Sequence, residues 1–92
     1  MNPALPLILT VALASPGWAA CYADYKAKQD DPLRLHYGVV ELPDDRCDIG
    51  SASEVIAARL GDGWQLLEVT SVFGPDGLEE REESAGEYFL RY

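Results

Sequence analysis

The stretch SASEVIAARLGDGW, Ser51 to Trp64, decides the fold class. Ser51-Ala52-Ser53-Glu54 has the form of a capping box. In that arrangement a serine hydroxyl and a glutamate carboxylate each satisfy a free backbone N–H at a helix start. Val55, Ile56 and Leu60 give the helix an apolar face, and Gly61 and Gly63 end it. Trp64 to Phe73 (WQLLEVTSVF) follows as a strand. Its middle is apolar on both parities, which predicts a well-buried position. Trp64, directly after the helix-ending glycines, reads as a core anchor.

Upstream, Arg34 to Leu42 (RLHYGVVEL) reads as a second strand, rich in Tyr37, Val39 and Val40. Asp30 to Pro32 (DDP) is turn chemistry. Before it, Tyr22 to Gln29 alternates, with Ala23, Tyr25 and Ala27 against Asp24, Lys26 and Lys28. That pattern is strand-like, although its Ala and Lys content also allows a short helix. Downstream, Gly74 to Gly77 (GPDG) is a turn, LEEREESA is a charged excursion, and Ala85 to Tyr92 (AGEYFLRY) closes the chain as a strand. The expected order is (β)β-α-β-β. This is a two-layer α+β domain: one mostly antiparallel sheet of three to four strands, a single helix on one face, and the last strand antiparallel between those flanking the helix.

The first charged side chain is Asp24. Before it lie an apolar run, Leu5 to Ala14, the breakers Pro16 and Gly17, and the small residues Ala19 and Ala20. This reads as a secretory signal peptide over residues 1–19, with cleavage before Ala20 at Gly17-Trp18-Ala19. A membrane span needs about 20 apolar residues, and Pro6, Pro16 and Gly17 interrupt this one. The expected product is a single exported domain over residues 20–92, in the periplasm or secreted. It carries the whole formal charge of −9. Such a charge disfavours nucleic acid and anionic lipid surfaces and suits a basic protein or peptide partner.

The two cysteines are Cys21 and Cys47. An even count in a small exported chain suggests a disulfide. A hairpin centred on Asp31 would bring Cys21 near Leu42, five residues from Cys47, so hairpin and disulfide support one another. The rival is a lipid on Cys21, since Ala19-Ala20-Cys21 places small residues before a cysteine. That would make an envelope lipoprotein, the one route to a membrane, and would leave Cys47 alone.

Chemistry-bearing motifs are sparse. His36 is the only histidine and could act as a general base beside a carboxylate. No nucleophile motif accompanies it, and there is no GxSxG, GxGxxG or P-loop. Two cysteines and His36 lack zinc spacing. Asp44, Asp45 and Asp48 lack the spacing of a calcium loop and read as a solvated loop. The sequence thus names no catalytic residue, metal site or cofactor. Glu79, Glu80, Glu82 and Glu83 around Arg81 read as a solvated charged face, with electrostatic docking to a basic partner as the functional alternative. Tyr22, Tyr25, Tyr37, Tyr88 and Tyr92 exceed what one helix can cover. They form either cross-strand structural pairs or an aromatic recognition surface on an open sheet face.

The stretches His36 to Leu42 (HYGVVEL) and Gly61 to Val69 (GDGWQLLEV) resemble a small domain family of unknown function. In that family a tyrosine-containing strand ending in VVxL precedes an amphipathic helix, a GW-x-L strand and a final hairpin strand. The resemblance implies a β-α-β-β fold and transfers no site residue. The function expected from these features is a non-enzymatic binding or interaction module. The alternatives are the Cys21-anchored lipoprotein and a small enzyme using His36.

Overall fold

The computed structural model describes residues 20–92; the expected signal segment, residues 1–19, lies outside the described residues. Three nine-residue strands form one antiparallel sheet: β1 (Cys21–Gln29), β2 (Arg34–Leu42) and β3 (Gln65–Phe73). The spatial order is β2-β1-β3. β1 and β2 make the expected hairpin, with Cys21 opposite Leu42 and Gln29 opposite Arg34. The strand option for Tyr22 to Gln29 therefore holds. β1 takes the centre, and its α1-facing residues are completely covered: Ala23, Tyr25 and Ala27 have no solvent exposure.

The helix α1 (Ile49–Arg59) lies on one face of the sheet. Ala23, Tyr25, Ala27, Val40 and Leu42 pack there with Ala52, Ile56 and Trp64. The cap differs from the capping-box expectation. Asp48 is the N-cap, accepting from the Ser51 backbone N–H at 2.7 Å and from the Ser51 hydroxyl at 3.2 Å. Aspartate caps as well as serine does, so the helix starts one residue after Asp48. Glu54 is freed to pair with Arg46 at 2.7 Å.

β3 is an edge strand and not a well-buried one. Two register shifts, at Asp24/Tyr25 and Lys26/Ala27, leave β3 with extra residues against β1. Each bulge reverses the strand's parity. Leu66, Val69 and Val72, three residues apart, all reach the α1 core as a result. Leu67 is left outside, 52% exposed. The apolar character on both parities therefore reflects bulges.

Residues 74–92 correct the (β)β-α-β-β order and its single helix. The charged excursion is a second helix, α2 (Glu79–Ala85), entered through a 3-10 turn at Pro75–Gly77. It packs on the face opposite α1, where Val39 and Ala85 are buried. Gly86 then turns the chain at φ 55°, a conformation that glycine adopts without strain. Residues 86–92 form no strand in the sheet. They run as a strap along the outer edge of β2, with one parallel bridge between Phe89 and Val39 and a Leu90 N–H donated to the Val39 carbonyl at 2.8 Å. The centre reserved for this segment is occupied by β1.

Candidate functional site

Strand alternation sorts the side chains onto two faces. On the α2 face the organising group is Asp24, 4% exposed in the middle of the central strand. Its carboxylate accepts from the Tyr37 hydroxyl at 2.7 Å, the Ser71 hydroxyl at 2.7 Å and Arg81 Nε at 3.0 Å. Arg81 reaches it from α2, with its guanidinium 3.9 Å from the Phe73 ring centre. Its Nη1 also donates to the Gly77 carbonyl at 2.7 Å. Burial alone would push the Asp24 pKa up, but the hydrogen bonds from Ser71, Tyr37 and Arg81 outweigh it and hold it below the usual value. Burial and the adjacent Asp24 push the Tyr37 phenol up to about 12. Every partner here is satisfied, so the cluster is a clasp holding α2 on the sheet.

α2 is seven residues long and leaves the hairpin end of this face open. There Lys26, Leu35, Tyr37 and Leu67 line a shallow, mostly apolar groove of about 350 Å³, closed below by Ala27 and His36 of the paired strands. Leu35 is 67% exposed, and Leu33 in the hairpin turn is 66% exposed. Lys26 stands 3.9 Å from Glu68 on the neighbouring strand. A second depression of about 380 Å³ lies between the end of β2, Arg59 and the strap residues Leu90 and Tyr92.

On the α1 face, His36 sits inside aromatic rings. Tyr88 stacks on it at 3.7 Å between centroids, Trp64 meets it edge-on at 4.3 Å, and Tyr92 lies at 6.4 Å. The Tyr25 hydroxyl shares a 2.8 Å hydrogen bond with Nε2. His36 is 9% exposed, and its buried Nδ1 has no hydrogen-bond partner. Burial pushes its pKa down; Glu87 opposes that shift and Arg91 adds to it. Among the described residues no carboxylate hydrogen-bonds to this ring. The contact that a histidine–carboxylate pair needs is not formed here.

The five tyrosines are not brought onto one open face. Tyr25 is fully buried under α1, and Tyr88 and Tyr92 flank His36 on that side. Tyr22 and Tyr37 lie on the α2 face, Tyr22 stacked on Phe73 at 6.1 Å. Cys21 and Cys47 form a disulfide with Cα atoms 6.0 Å apart, tying the start of β1 to the loop before α1. Among the described residues no three His, Cys, Asp or Glu side chains converge as a metal site, and no helix is long and apolar enough to cross a membrane.

Two features escaped the sequence reading. Arg81 is an anchor, and its signal was a single base inside an acidic run together with Asp24, the single acid of β1. The exposed pair Leu35 and Leu67 had no signal, because the bulge beside Leu67 is invisible in the sequence. No family model, curated protein or solved structure matches the chain.

Proposed function

We propose that this domain is a non-enzymatic interaction module of an exported, oxidising compartment. Its contact surface is the open hairpin end of the α2 face. The observation that carries this reading is the apolar groove between Leu35 and Leu67, both more than half exposed at the end of the sheet face that the short α2 leaves open. Clustered exposed apolar groups mark contact sites more than scattered ones do. The groove is shallow, which suits a partner's side chains better than an enclosed small molecule. The formal charge of −9 favours a basic protein or peptide by long-range attraction, while the leucines supply the short-range contact.

Two further features support this reading over its rivals. His36 is enclosed by aromatic rings with no carboxylate partner, which favours a packing role over a general base. A Cys21 sulfur held by Cys47 is not free for a thioether lipid, which favours the unanchored form and an oxidising compartment. The test is a photo-crosslinking amino acid at Leu67, compared with one at Asp45 in the far loop, in the host's own envelope. Position 67 is expected to give discrete adducts that Leu35→Glu abolishes. Identical products at both positions, or none at 67, would overturn the reading.

A further inference from the structure

The C-terminal strap, residues 86–92, meets the domain through few groups, and they converge on one ring. Tyr88 stacks on His36 at 3.7 Å, and Tyr92 lies parallel beyond it. The Leu90 N–H donates to the Val39 carbonyl, three residues along β2 from His36, and the Tyr92 hydroxyl donates to Asp62 at 3.0 Å. Arg91 approaches Asp62 at 4.0 Å, an exposed and weak pair. His36 is thus the buried centre of the strap's attachment.

That centre tolerates only a neutral ring. Nε2 is taken by the Tyr25 hydroxyl. Nδ1 is buried and has no partner, which an unprotonated nitrogen accepts at modest cost. In the imidazolium both nitrogens carry protons. The Nδ1 proton would then be a charged donor facing no acceptor, the expensive case for a buried polar group. The ionisable groups around the ring offer no remedy in place. Tyr25 comes from β1, Tyr88 and Tyr92 from the strap, and all three are neutral below pH 10. Glu87 favours the charged ring through space but makes no hydrogen bond to it, while Arg91 opposes it. Arg34 on β2 lies over Trp64 at 5.8 Å and adds another positive charge, and Asp62 is engaged by Tyr92.

We infer that residues 86–92 are a pH-operated latch, closed over the edge of β2 while His36 is neutral and released when that ring takes up a second proton. Release exposes the imidazolium to water, which supplies the missing acceptor. It also frees the Val39 carbonyl and bares the outer edge of β2. The clasp at Asp24 lies on the other face and does not involve His36, so α2 and the sheet stay in place. This inference stands apart from the contact surface at Leu35 and Leu67.

The test is amide hydrogen exchange by NMR on the oxidised protein between pH 7.5 and pH 5.0, corrected for intrinsic exchange. The His36 ring signals are followed in the same samples. Leu90 protection is expected to fall at least about tenfold as His36 protonates, the scale set by one unsatisfied buried polar group. Protection at Ala23 and Tyr25 is expected to persist. His36→Phe, which keeps an aromatic ring and cannot titrate, is expected to remove the pH dependence. Tyr88→Ala, which leaves His36 untouched, is expected to show a loosened Leu90 already at pH 7.5. Four results would each overturn the inference: Leu90 protection unchanged through His36 protonation, a ring still neutral with the strap closed at pH 5.0, an equal fall at β1 amides, or a Tyr88→Ala protein as protected as its parent.

Discussion

Replacing Asp24 with asparagine tests the clasp that joins α2 to the sheet. The change conserves shape and removes one charge. Asp24 accepts three hydrogen bonds at 2.7, 2.7 and 3.0 Å, one from a guanidinium, and only 4% of it meets water. Hydrogen bonds to charged groups contribute about 1.5–3 kcal/mol each, and such values do not add within one network. Breaking a buried ion pair costs about 3–5 kcal/mol. Arg81 keeps 20% of its side chain exposed and can turn partly to water, so the lower end applies. The expected loss is about 3 kcal/mol. A domain of this size has roughly 4–11 kcal/mol in total, and each kcal/mol moves Tm by about 4–8 °C. Asp24→Asn is therefore expected to lower Tm by roughly 12–24 °C in circular-dichroism melts. Adding Arg81→Met removes the stranded cation, so the double variant is expected to melt above the sum of the two single losses. A fall of less than about 4 °C for Asp24→Asn, or strict additivity with Arg81→Met, would refute the clasp.

Other outcomes follow from the same contacts. Replacing both cysteines with alanine opens a loop of 26 residues' separation and is expected to cost about 3.5 kcal/mol in urea unfolding; in the parent protein isolated from its host, thiol labelling is expected only after reduction. Gly38→Ala would set a methyl group 2.5 Å from the Tyr25 hydroxyl. Overpacking of this kind costs about 1–3 kcal/mol, and an unchanged urea midpoint would contradict the packing. Stability is expected to fall in two acid steps. Because the fold lowers the His36 pKa, the unfolded chain binds the proton first, so stability declines below the ordinary histidine value of 6.5 until the folded ring titrates. Asp24, also lowered, contributes above its ordinary 3.8 and loses that contribution as pH falls through its folded value. His36→Phe is expected to flatten the first step alone in urea midpoints measured from pH 7.5 to pH 3.

The sequence reached the hairpin, the cysteine pair and α1 because each rests on local chemistry. The Asp30–Pro32 turn sets the register, and the register sets the distance from Cys21 to Cys47. β3 was legible as a strand but not as an edge, since its bulges depend on which partner it finds. The last segment misled because Tyr88, Phe89 and Tyr92 have strand propensity, while the Tyr88 and Tyr92 rings are committed to His36 and the backbone at Phe89 makes one bridge. α2 is a short acidic helix held by tertiary contacts: Arg81 reaches a carboxylate 57 residues earlier in the chain, and Ala85 is buried against the sheet. Isolated helices of this length are marginal in water. The candidate surface at Leu35 and Leu67 was illegible for the related reason that exposure is a property of the assembled sheet.

The central position of β1 also sets an order of assembly. The first strand among the described residues is the one that must be flanked on both sides. β2 can zip onto it at once through a short turn, and the disulfide can close over that hairpin before the rest of the domain is in place. The other side of β1 waits for β3, which arrives only after α1. Until then the row of backbone groups facing β3 is unpaired, next to apolar residues that the finished domain buries completely. An unpaired, apolar strand edge is the feature that invites pairing between unfinished chains. The slow step in folding is therefore expected to be capture of β3, and the interval before it is when this chain is most open to aggregation or to a chaperone.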